Sequence, residues 1–348
     1  MTALRDLIGA RIAANGPITL ADYMAEALLH PTLGYYTTRT PFGTAGDFIT
    51  APDISQMFGE LIGLSLAQAW LDQGSPTPFV LAELGPGRGT LMADILRATA
   101  KVAGFAQAAE VHLIEASPTL RAEQASRVCA TWHDTVTTLP DLPLFLVANE
   151  FFDALPIRQF HRDAAGWREL QIGADVTAGL SAPAPVALLD HRLEDTKAGD
   201  IVETCPALSA ITAQIAQRIA DHGGAAIIID YGDWRSLGDT LQAMQNHAPV
   251  DPFANPGLAD LTAHVDFEAI ANAAAPAKYT RLTQQGVFLE RLGITARAQG
   301  LADKLSGAAL DAHIAAHRRL THPAEMGSLF KVLGLYPDGA PPPAGLDP

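Results

Sequence analysis

The chain has 348 residues and a mass of 36.7 kDa, with 48% hydrophobic and 18% charged residues. This composition excludes an intrinsically disordered protein, since such chains are poor in apolar residues and rich in charge. A length above about 250–300 residues predicts a second domain or large insertions. The net charge of −15 disfavours a nucleic-acid partner, because an acidic surface repels phosphate backbones.

The cysteines and the N-terminus bear on location. Cys129 and Cys205 are too few for a disulfide framework, which indicates a reducing compartment. Residues 1–11 are charged and lack the apolar stretch of a signal peptide, and no run of 18 apolar residues exists. We therefore expect a cytoplasmic protein without a membrane span.

Residues 1–75 are predicted to form a helical segment that contains an irregular loop. Apolar residues at helical spacing predict helices over 2–29, with a break at 15–17, and over 53–71. In the second helix, Asp53 followed by Gln56 resembles a capping box.

Beyond residue 76, apolar strands alternate with helices. The predicted strands are 79–83, 111–115, 144–149 and 225–230, and the predicted helices are 90–103, 118–128 and 208–222. Buried apolar strands separated by helices predict an α/β fold with a parallel sheet.

We interpret residues 76–336 as one catalytic domain. Two stretches interrupt its alternation, at about 157–202 and 234–324, and we interpret both as helical and loop insertions. The last residues, 337–348, are rich in Pro and Gly, so we expect a flexible tail.

A glycine-rich turn, Glu83–Gly89 (ELGPGRG), separates the first of these strands from its helix. Glycines here allow positive φ and close approach of a ligand, and the helix start offers N–H groups to a carboxylate or phosphate. The third glycine comes one residue earlier than in the dinucleotide fingerprint. The acidic residue with Gly85, Gly87 and Gly89 suits S-adenosylmethionine (SAM) instead; the alternative is a glycine turn without a ligand.

Two further carboxylates are candidates for holding a nucleoside. Glu115 ends the second predicted strand, where a carboxylate can accept hydrogen bonds from both ribose hydroxyls. Asp134 follows the short segment that ends in Trp132, and there it could accept a hydrogen bond from an adenine amino group. The alternative for Asp134 is a solvated loop carboxylate.

Several blocks of the sequence resemble the MidA family, from about residue 20 to 335. The matching blocks are Gly34–Tyr36, Phe42–Gly43, Gly46–Ser55, Phe58–Glu60, Glu83–Leu91, Ala148–Pro156, Asp230–Gly232, Asp239–Leu241, Ala259–Phe267 and Met326–Lys331. The resemblance implies a class I SAM-dependent methyltransferase with a Rossmann-like sheet and SAM as cofactor. The family includes a mitochondrial complex I assembly factor that methylates an arginine, so the resemblance also implies a protein acceptor, with a complex I subunit as one possibility.

The acceptor site is expected at the carboxyl edge of the sheet, where open α/β folds bind ligands. Asn149, Glu150 and Asp153 stand at the carboxyl end of the predicted strand 144–149, which is the fourth strand if the short segment ending in Trp132 is the third. A carboxylate pair there can grip the N–H groups of a guanidinium. The alternative is that the two carboxylates cap a helix. Asp47 and Thr50, in the loop before residue 53, are expected to close over the cofactor, and Gly46 is a further cofactor-binding candidate there; the alternative is a packing loop.

Other chemistries fit the sequence poorly. His313 and His317 have the spacing of a zinc helix but lack the glutamate of that motif, and the glycine turn lacks the Lys-Ser/Thr of a P-loop. Three functions remain open: a protein arginine methyltransferase, a SAM-binding assembly factor that acts by binding protein, and a small-molecule methyltransferase. The intact glycine turn with Glu115 favours an enzyme.

Overall fold

The computed structural model describes residues 2–38 and 49–348. Its strands, in chain order, are β1 (Ile18–Thr19), β2 (Phe79–Leu84), β3 (Ala109–Ile114), β4 (Thr131–His133), β5 (Leu144–Asn149), β6 (Arg158–Asp163), β7 (Gly166–Gly173), β8 (Thr177–Leu180), β9 (Ile201–Thr204), β10 (Gly224–Asp233), β11 (Gln242–Gln245), β12 (Ala248–Pro249), β13 (Asp260–Thr262), β14 (Val265–Asp266), β15 (Lys278–Tyr279), β16 (Thr283–Gln284) and β17 (Phe330–Tyr336).

The α-helices of the same residues are numbered separately. They are α1 (Ala3–Asn15), α2 (Leu20–Leu29), α3 (Tyr35–Thr38), α4 (Ala51–Ile54), α5 (Gln56–Asp72), α6 (Thr90–Thr99), α7 (Phe105–Ala108), α8 (Pro118–Ala125), α9 (Pro206–His222), α10 (Phe267–Ala273), α11 (Gln285–Arg291), α12 (Ile294–Ala302), α13 (Ala308–Thr321) and α14 (Met326–Leu329). None of these helices is long and apolar enough to cross a membrane.

The central sheet has the strand order β15-β17-β10-β5-β2-β3-β4. Strands β10, β5, β2, β3 and β4 run parallel to one another, whereas β17 runs antiparallel to β10. The chain adds β3 and β4 on one side of β2 and then returns to place β5 on the other side. The order therefore reverses between β2 and β5, and open α/β sheets bind ligands at such a switch point.

Both faces of this sheet are covered, as the continuous apolar strands predict. All residues of β2 and β5 are buried. Successive residues of β5 enter opposite cores: Phe145 joins a core that includes Phe58 of α5, and Leu146 joins one that includes Ile215 of α9. This arrangement confirms the prediction of an α/β fold with a parallel sheet flanked by helices.

The N-terminal helices pack against the inserted strands. β1 pairs with β7 of the antiparallel sheet formed by β1, β6, β7, β8 and β9. Leu4 of α1, Tyr23 of α2, Ile172 of β7 and Leu261 of β13 belong to one hydrophobic core. The N-terminal segment and both insertions thus share a core beside the central sheet, and the proposed domain limits stay a prediction.

The helix expected over 53–71 is divided at Ser55. Ser55 has an extended backbone and its hydroxyl accepts the N–H of Met57, so it caps α5. The predicted capping box of Asp53 and Gln56 is therefore wrong. Asp53 instead lies in the preceding short helix α4, and its carboxylate accepts a hydrogen bond of 3.2 Å from the Thr90 hydroxyl.

The tail, residues 337–348, packs on the sheet and is not the flexible segment we expected. Leu346 is buried against the core that contains Phe288. The Ser65 hydroxyl donates to the Ala344 carbonyl at 2.8 Å, and the Arg281 N–H donates to the Asp347 carbonyl at 2.9 Å. Pro and Gly content suggested disorder, but one apolar side chain and these backbone contacts order the tail.

Candidate active site

A cavity lies at the switch point between β2 and β5. Three segments of the described chain line it: Thr50, Pro52 and Asp53 from the N-terminal part, seven of the residues from Glu83 to Leu91, and the pair Asn149–Glu150. The structure thus brings together Thr50, Glu83, Gly85, Gly87, Asn149 and Glu150, which the sequence identified as candidates. Gly46 and Asp47, two other candidates, lie outside the described residues.

The glycine turn has the backbone that the sequence predicted. Gly85, Gly87 and Gly89 have φ of +59°, +50° and +79°, a region that favours glycine. A Cβ at Gly85 would also lie 2.8 Å from Cδ2 of Phe151. Gly89 is the N-cap of α6, so the turn delivers the chain directly into a helix start, which favours anionic groups.

The Glu83 side chain, just before this turn, is almost fully buried. Its Oε2 has no hydrogen-bond partner among the described residues. Burial raises the pKa of the Glu83 carboxyl to about 8, although a hydrogen bond from the Met92 backbone opposes the shift. An unpartnered buried acceptor beside the cavity indicates a place for a donor group of a ligand.

Glu115 lies just after β3 and is connected to the glycine turn. Its Oε1 accepts the Ser117 N–H at 2.7 Å, and its Oε2 accepts Nε2 of Gln124 at 3.2 Å. The same Nε2 donates to the Gly87 carbonyl at 2.8 Å. Glu115 does not itself line the cavity, but Gln124 joins it to a residue that does.

Asp134 lies apart from the cavity on an exposed position. Its carboxylate pairs with Arg121, whose Nε donates to the Glu115 carbonyl at 2.7 Å. The structure therefore places Asp134 beside the Glu115 end of the site, and its contact with adenine stays a prediction.

Glu150 lines the cavity, and one of its two carboxylate oxygens makes the hydrogen bonds that hold the side chain in place. Its Oε1 accepts the Ala51 N–H at 3.0 Å and Nδ2 of Asn149 at 2.9 Å. Its Oε2 accepts no hydrogen bond from the described residues. Since the Asn149 amide donates to Glu150, its Oδ1 faces away, and this atom is buried without a partner in the described chain.

The backbone and charge of Glu150 are both unusual. Its φ of +51° lies in the left-handed region, which costs a non-glycine residue about 1 kcal/mol or more. Burial raises the pKa of its carboxyl to about 7, and the nearby Asp153 adds to the shift while the Ala51 hydrogen bond opposes it. Such features concentrate at functional sites.

Asp153 is buried behind Glu150 and does not line the cavity. Burial raises the pKa of its carboxyl to about 6, against hydrogen bonding from Tyr231. Its Oδ1 has no partner among the described residues. The expected grip of Glu150 and Asp153 on one acceptor group stays a prediction, since only Glu150 meets the cavity.

Asp230, whose role the sequence did not reveal, fixes this loop. Its Oδ2 accepts the N–H groups of Phe151, Phe152 and Asp153 at 3.2, 3.0 and 3.2 Å, and its Oδ1 accepts the Tyr231 N–H at 3.0 Å. Burial raises the pKa of Asp230, and the charges of Asp153 and Glu150 raise it further. The sequence does show an aspartate at the end of the predicted strand 225–230, but it cannot show which backbone N–H groups the Asp230 carboxylate binds.

Asp53 and Arg88 are the other residues that the sequence analysis missed. Arg88 donates through Nε to Glu123 at 2.9 Å and lies 4.0 Å from Asp53. Among the described residues that line the cavity, Arg88 is the one basic side chain. A charged residue inside a glycine turn is easily taken for a solvated one, and only the fold shows that it faces the cavity.

The chain was compared with known proteins. A family model of S-adenosyl-L-methionine-dependent methyltransferases matches residues 61–284. The chain belongs to this family. A SAM-dependent methyltransferase is therefore the enzyme class, and SAM the cofactor, as the sequence predicted.

Curated relatives and a solved structure agree with this membership. "Protein arginine methyltransferase NDUFAF7, mitochondrial" of Homo sapiens is 36% identical over 94% of this chain and 82% of its own length. The Drosophila melanogaster homologue is 35% identical over 96% and 85%. A COG1565 superfamily member from Burkholderia thailandensis bound to S-adenosyl-homocysteine is 30% identical, with a TM-score of 0.82 and coverage of 99% and 93%.

These relatives overturn the expected location. The curated relatives are named as mitochondrial proteins, so the expectation of a cytoplasmic protein is contradicted. The inference failed because two cysteines exclude only a disulfide framework, and a reducing environment does not distinguish one compartment from another.

The cavity suits the cofactor that the family uses. The glycine turn exposes backbone to the cavity, and the unpartnered Oε2 of Glu83 can accept a hydrogen bond from an ammonium group. Arg88 offers a cation to a carboxylate. SAM carries both of these groups on its methionine portion, so the residues present fit it.

Proposed function

We propose that this enzyme transfers the methyl group of SAM to an arginine of a protein. The observation that carries the proposal is the pair Asn149–Glu150, which lines the cavity together with the glycine turn. Oδ1 of Asn149 is buried without a partner among the described residues, and both hydrogen bonds that the Glu150 carboxylate accepts go to its Oε1. Acceptor atoms without donors from the protein suit a ligand rich in N–H groups. The relatives named protein arginine methyltransferases support the same acceptor.

The local charge also favours a cationic acceptor. Glu150, Asp153 and Asp230 are buried within one loop and its neighbouring strand end, and burial raises the pKa of each. Buried carboxylates are costly unless a positive charge or hydrogen bonds compensate them. A guanidinium supplies a charge and several N–H groups in one plane, which matches carboxylate and amide oxygens.

The residues of this chain would divide the work of the reaction. SAM, when bound, supplies an electrophilic methyl group on a sulfonium. Glu150 Oε2 and Asn149 Oδ1 would orient the guanidinium so that one nitrogen faces the cofactor. That nitrogen loses a proton as it gains the methyl group, and Glu150, with a pKa of about 7, can accept this proton at neutral pH.

The test is an unbiased search for the acceptor. Lysate from cells lacking the gene is incubated with the purified enzyme and methyl-labelled SAM, and the labelled protein is hydrolysed and its amino acids separated. We expect the label in methylarginine. Label in methyl-lysine, or only in a small molecule, would reject the proposal. The identity of the acceptor protein, including a complex I subunit, stays a prediction.

A further inference from the structure

Helix α8 lies directly over the glycine turn. A Cβ at Gly89 would be in contact with Gln124, at 3.5 Å from its Cα and its Cγ. One residue earlier in α8, Glu123 accepts Nε of Arg88 at 2.9 Å. The helix that follows β3 therefore touches the turn that follows β2 through two neighbouring side chains.

Gln124 has a fixed orientation in this contact. It is fully buried, and its Oε1 accepts the indole N–H of Trp132 at 2.8 Å. Because an indole N–H can only donate, the oxygen of the amide must face Trp132 and the NH₂ group must face the other way. That NH₂ group has two hydrogens and meets two acceptors, the Gly87 carbonyl and Glu115 Oε2.

The two acceptors belong to different parts of the cofactor site. Gly87 is in the turn that lines the cavity, whereas Glu115 is the candidate for the ribose hydroxyls. Glu115 also needs a defined carboxylate orientation to accept two hydrogen bonds from a diol. The Ser117 N–H binds its Oε1 and Gln124 binds its Oε2, so Gln124 provides one of the two hydrogen bonds that fix the orientation of this carboxylate.

We propose that Gln124 is a positioning residue for the cofactor, which locks Glu115 to the glycine turn so that both ends of SAM meet a preformed site. Gln124 acts through Glu115 and Gly87. Trp132 in turn sets the orientation of the Gln124 amide, so the indole N–H belongs to the same hydrogen-bond network.

Gln285 provides a matched control. It is also fully buried, and its Nε2 donates to the Leu320 carbonyl at 2.9 Å between α11 and α13. Replacing Gln285 by leucine removes one buried side-chain hydrogen bond, whereas replacing Gln124 by leucine removes the three described above; both changes keep the volume similar. Both variants should lose thermal stability, but only Gln124→Leu changes the cofactor site.

The experiment measures the dissociation constant of S-adenosyl-homocysteine by calorimetry, together with the melting temperature. We expect Gln124→Leu to weaken binding about 10- to 100-fold, the range for a hydrogen bond to a charged group. Gln285→Leu should stay within about twofold of the parent. If Gln124→Leu also stays within twofold, the proposal is wrong.

A double-mutant cycle tests whether Gln124 acts through Glu115. In a Glu115→Ala background, Gln124→Leu should weaken binding by clearly less than in the parent; full additivity would overturn the proposed route. Should Gln124→Leu not fold, Trp132→Phe removes the N–H that orients the amide and keeps an aromatic ring at this position. We then expect binding to weaken by about three- to tenfold, and an unchanged dissociation constant would overturn the proposal.

Discussion

The backbone N–H of Ala51 donates a 3.0 Å hydrogen bond to Oε1 of Glu150. This contact joins α4, which lines the cavity, to the end of β5, where Asn149 and Glu150 are the candidates for binding the methyl acceptor. Oε1 also accepts a hydrogen bond from the Asn149 amide. The other oxygen of Glu150, Oε2, is therefore the one that can bind the N–H groups of a methyl acceptor. The same hydrogen bond fixes the orientation of the Glu150 side chain, whose backbone has a positive φ.

Replacing Glu150 by glutamine should separate holding from catalysis. The glutamine oxygen can keep both hydrogen bonds of Oε1. Its NH₂ group replaces Oε2, so that a hydrogen-bond donor stands where the N–H groups of the guanidinium need an oxygen to accept them. We expect methyl transfer to fall by about 10²–10⁴. The affinity for S-adenosyl-homocysteine and the melting temperature should change little, as measured by calorimetry.

Glu203→Gln is the matched control for this variant. Glu203 is buried away from the cavity, and its Oε1 likewise accepts one backbone N–H, from Thr240, and one side-chain amide, from Gln159. Its amide variant should transfer methyl groups at nearly the parent rate. Equal rates for Glu150→Gln and the parent would contradict the acceptor role of Glu150.

The pH dependence of methyl transfer should report the same carboxyl. Burial raises the pKa of Glu150 to about 7, and only its ionised form can accept a proton. The rate with saturating SAM should therefore fall about tenfold per unit below pH 7 and level off above it. A flat profile between pH 6 and 8 would contradict control of the rate by a Glu150 carboxyl with a pKa of about 7.

The glycine turn predicts a loss of cofactor binding on substitution. Gly87 has φ of +50° and lines the cavity, so valine there would strain the backbone and fill space beside it. We expect Gly87→Val to abolish binding of S-adenosyl-homocysteine in calorimetry. Gly74→Val is a control, since Gly74 also has positive φ, +82°, but a Cβ there meets no atom within 4 Å. Retained binding in Gly87→Val would place the cofactor elsewhere.

Glu83 should make the folded state less stable as the pH rises. Its folded pKa of about 8 exceeds the unfolded value, so the folded protein binds the extra proton. Its contribution is complete below about pH 4.3 and is lost up to pH 8, by at most about 1.4 kcal/mol per pH unit. In denaturant titrations at pH 5 to 8, the free energy of unfolding of Glu83→Gln should rise relative to that of the parent as the pH increases. A constant difference would contradict the raised pKa.

The ordered tail predicts a stability cost for a single truncation. Leu346 is buried, whereas Leu188 is 58% exposed. We expect Leu346→Ala to lower the free energy of unfolding by about 2–4 kcal/mol, because it leaves a cavity, and Leu188→Ala to change it by less than about 0.5 kcal/mol. Similar values for both variants in urea denaturation would show that the tail does not pack.

Local patterns were sufficient to predict the parts of the fold that depend on neighbouring residues. The apolar run of β5 and the glycines of Gly85–Gly89 specify a buried strand and a turn without reference to the rest of the chain. Glu115, at the end of the next strand, was singled out by the same reasoning, and the glycine turn together with the family resemblance predicted the cofactor.

Contacts between distant segments could not be predicted from one sequence. Asp53 looked like a helix cap because its spacing to Gln56 fits one, and only the fold brings it to Thr90. Gln124 and Asp230 act through hydrogen bonds whose partners are set by strand order. The tail was judged by composition, which does not show that Leu346 finds a core to enter.

The most direct test of the acceptor site is single-turnover methyl transfer by the parent and by Glu150→Gln. Both proteins are saturated with methyl-labelled SAM and mixed with the acceptor protein that the lysate experiment identifies, and methylarginine is quantified over time. We predict rapid formation of methylarginine by the parent and a rate at least about 100-fold lower for Glu150→Gln at equal cofactor occupancy. Equal rates of methylarginine formation would contradict the claim that Glu150 holds the acceptor.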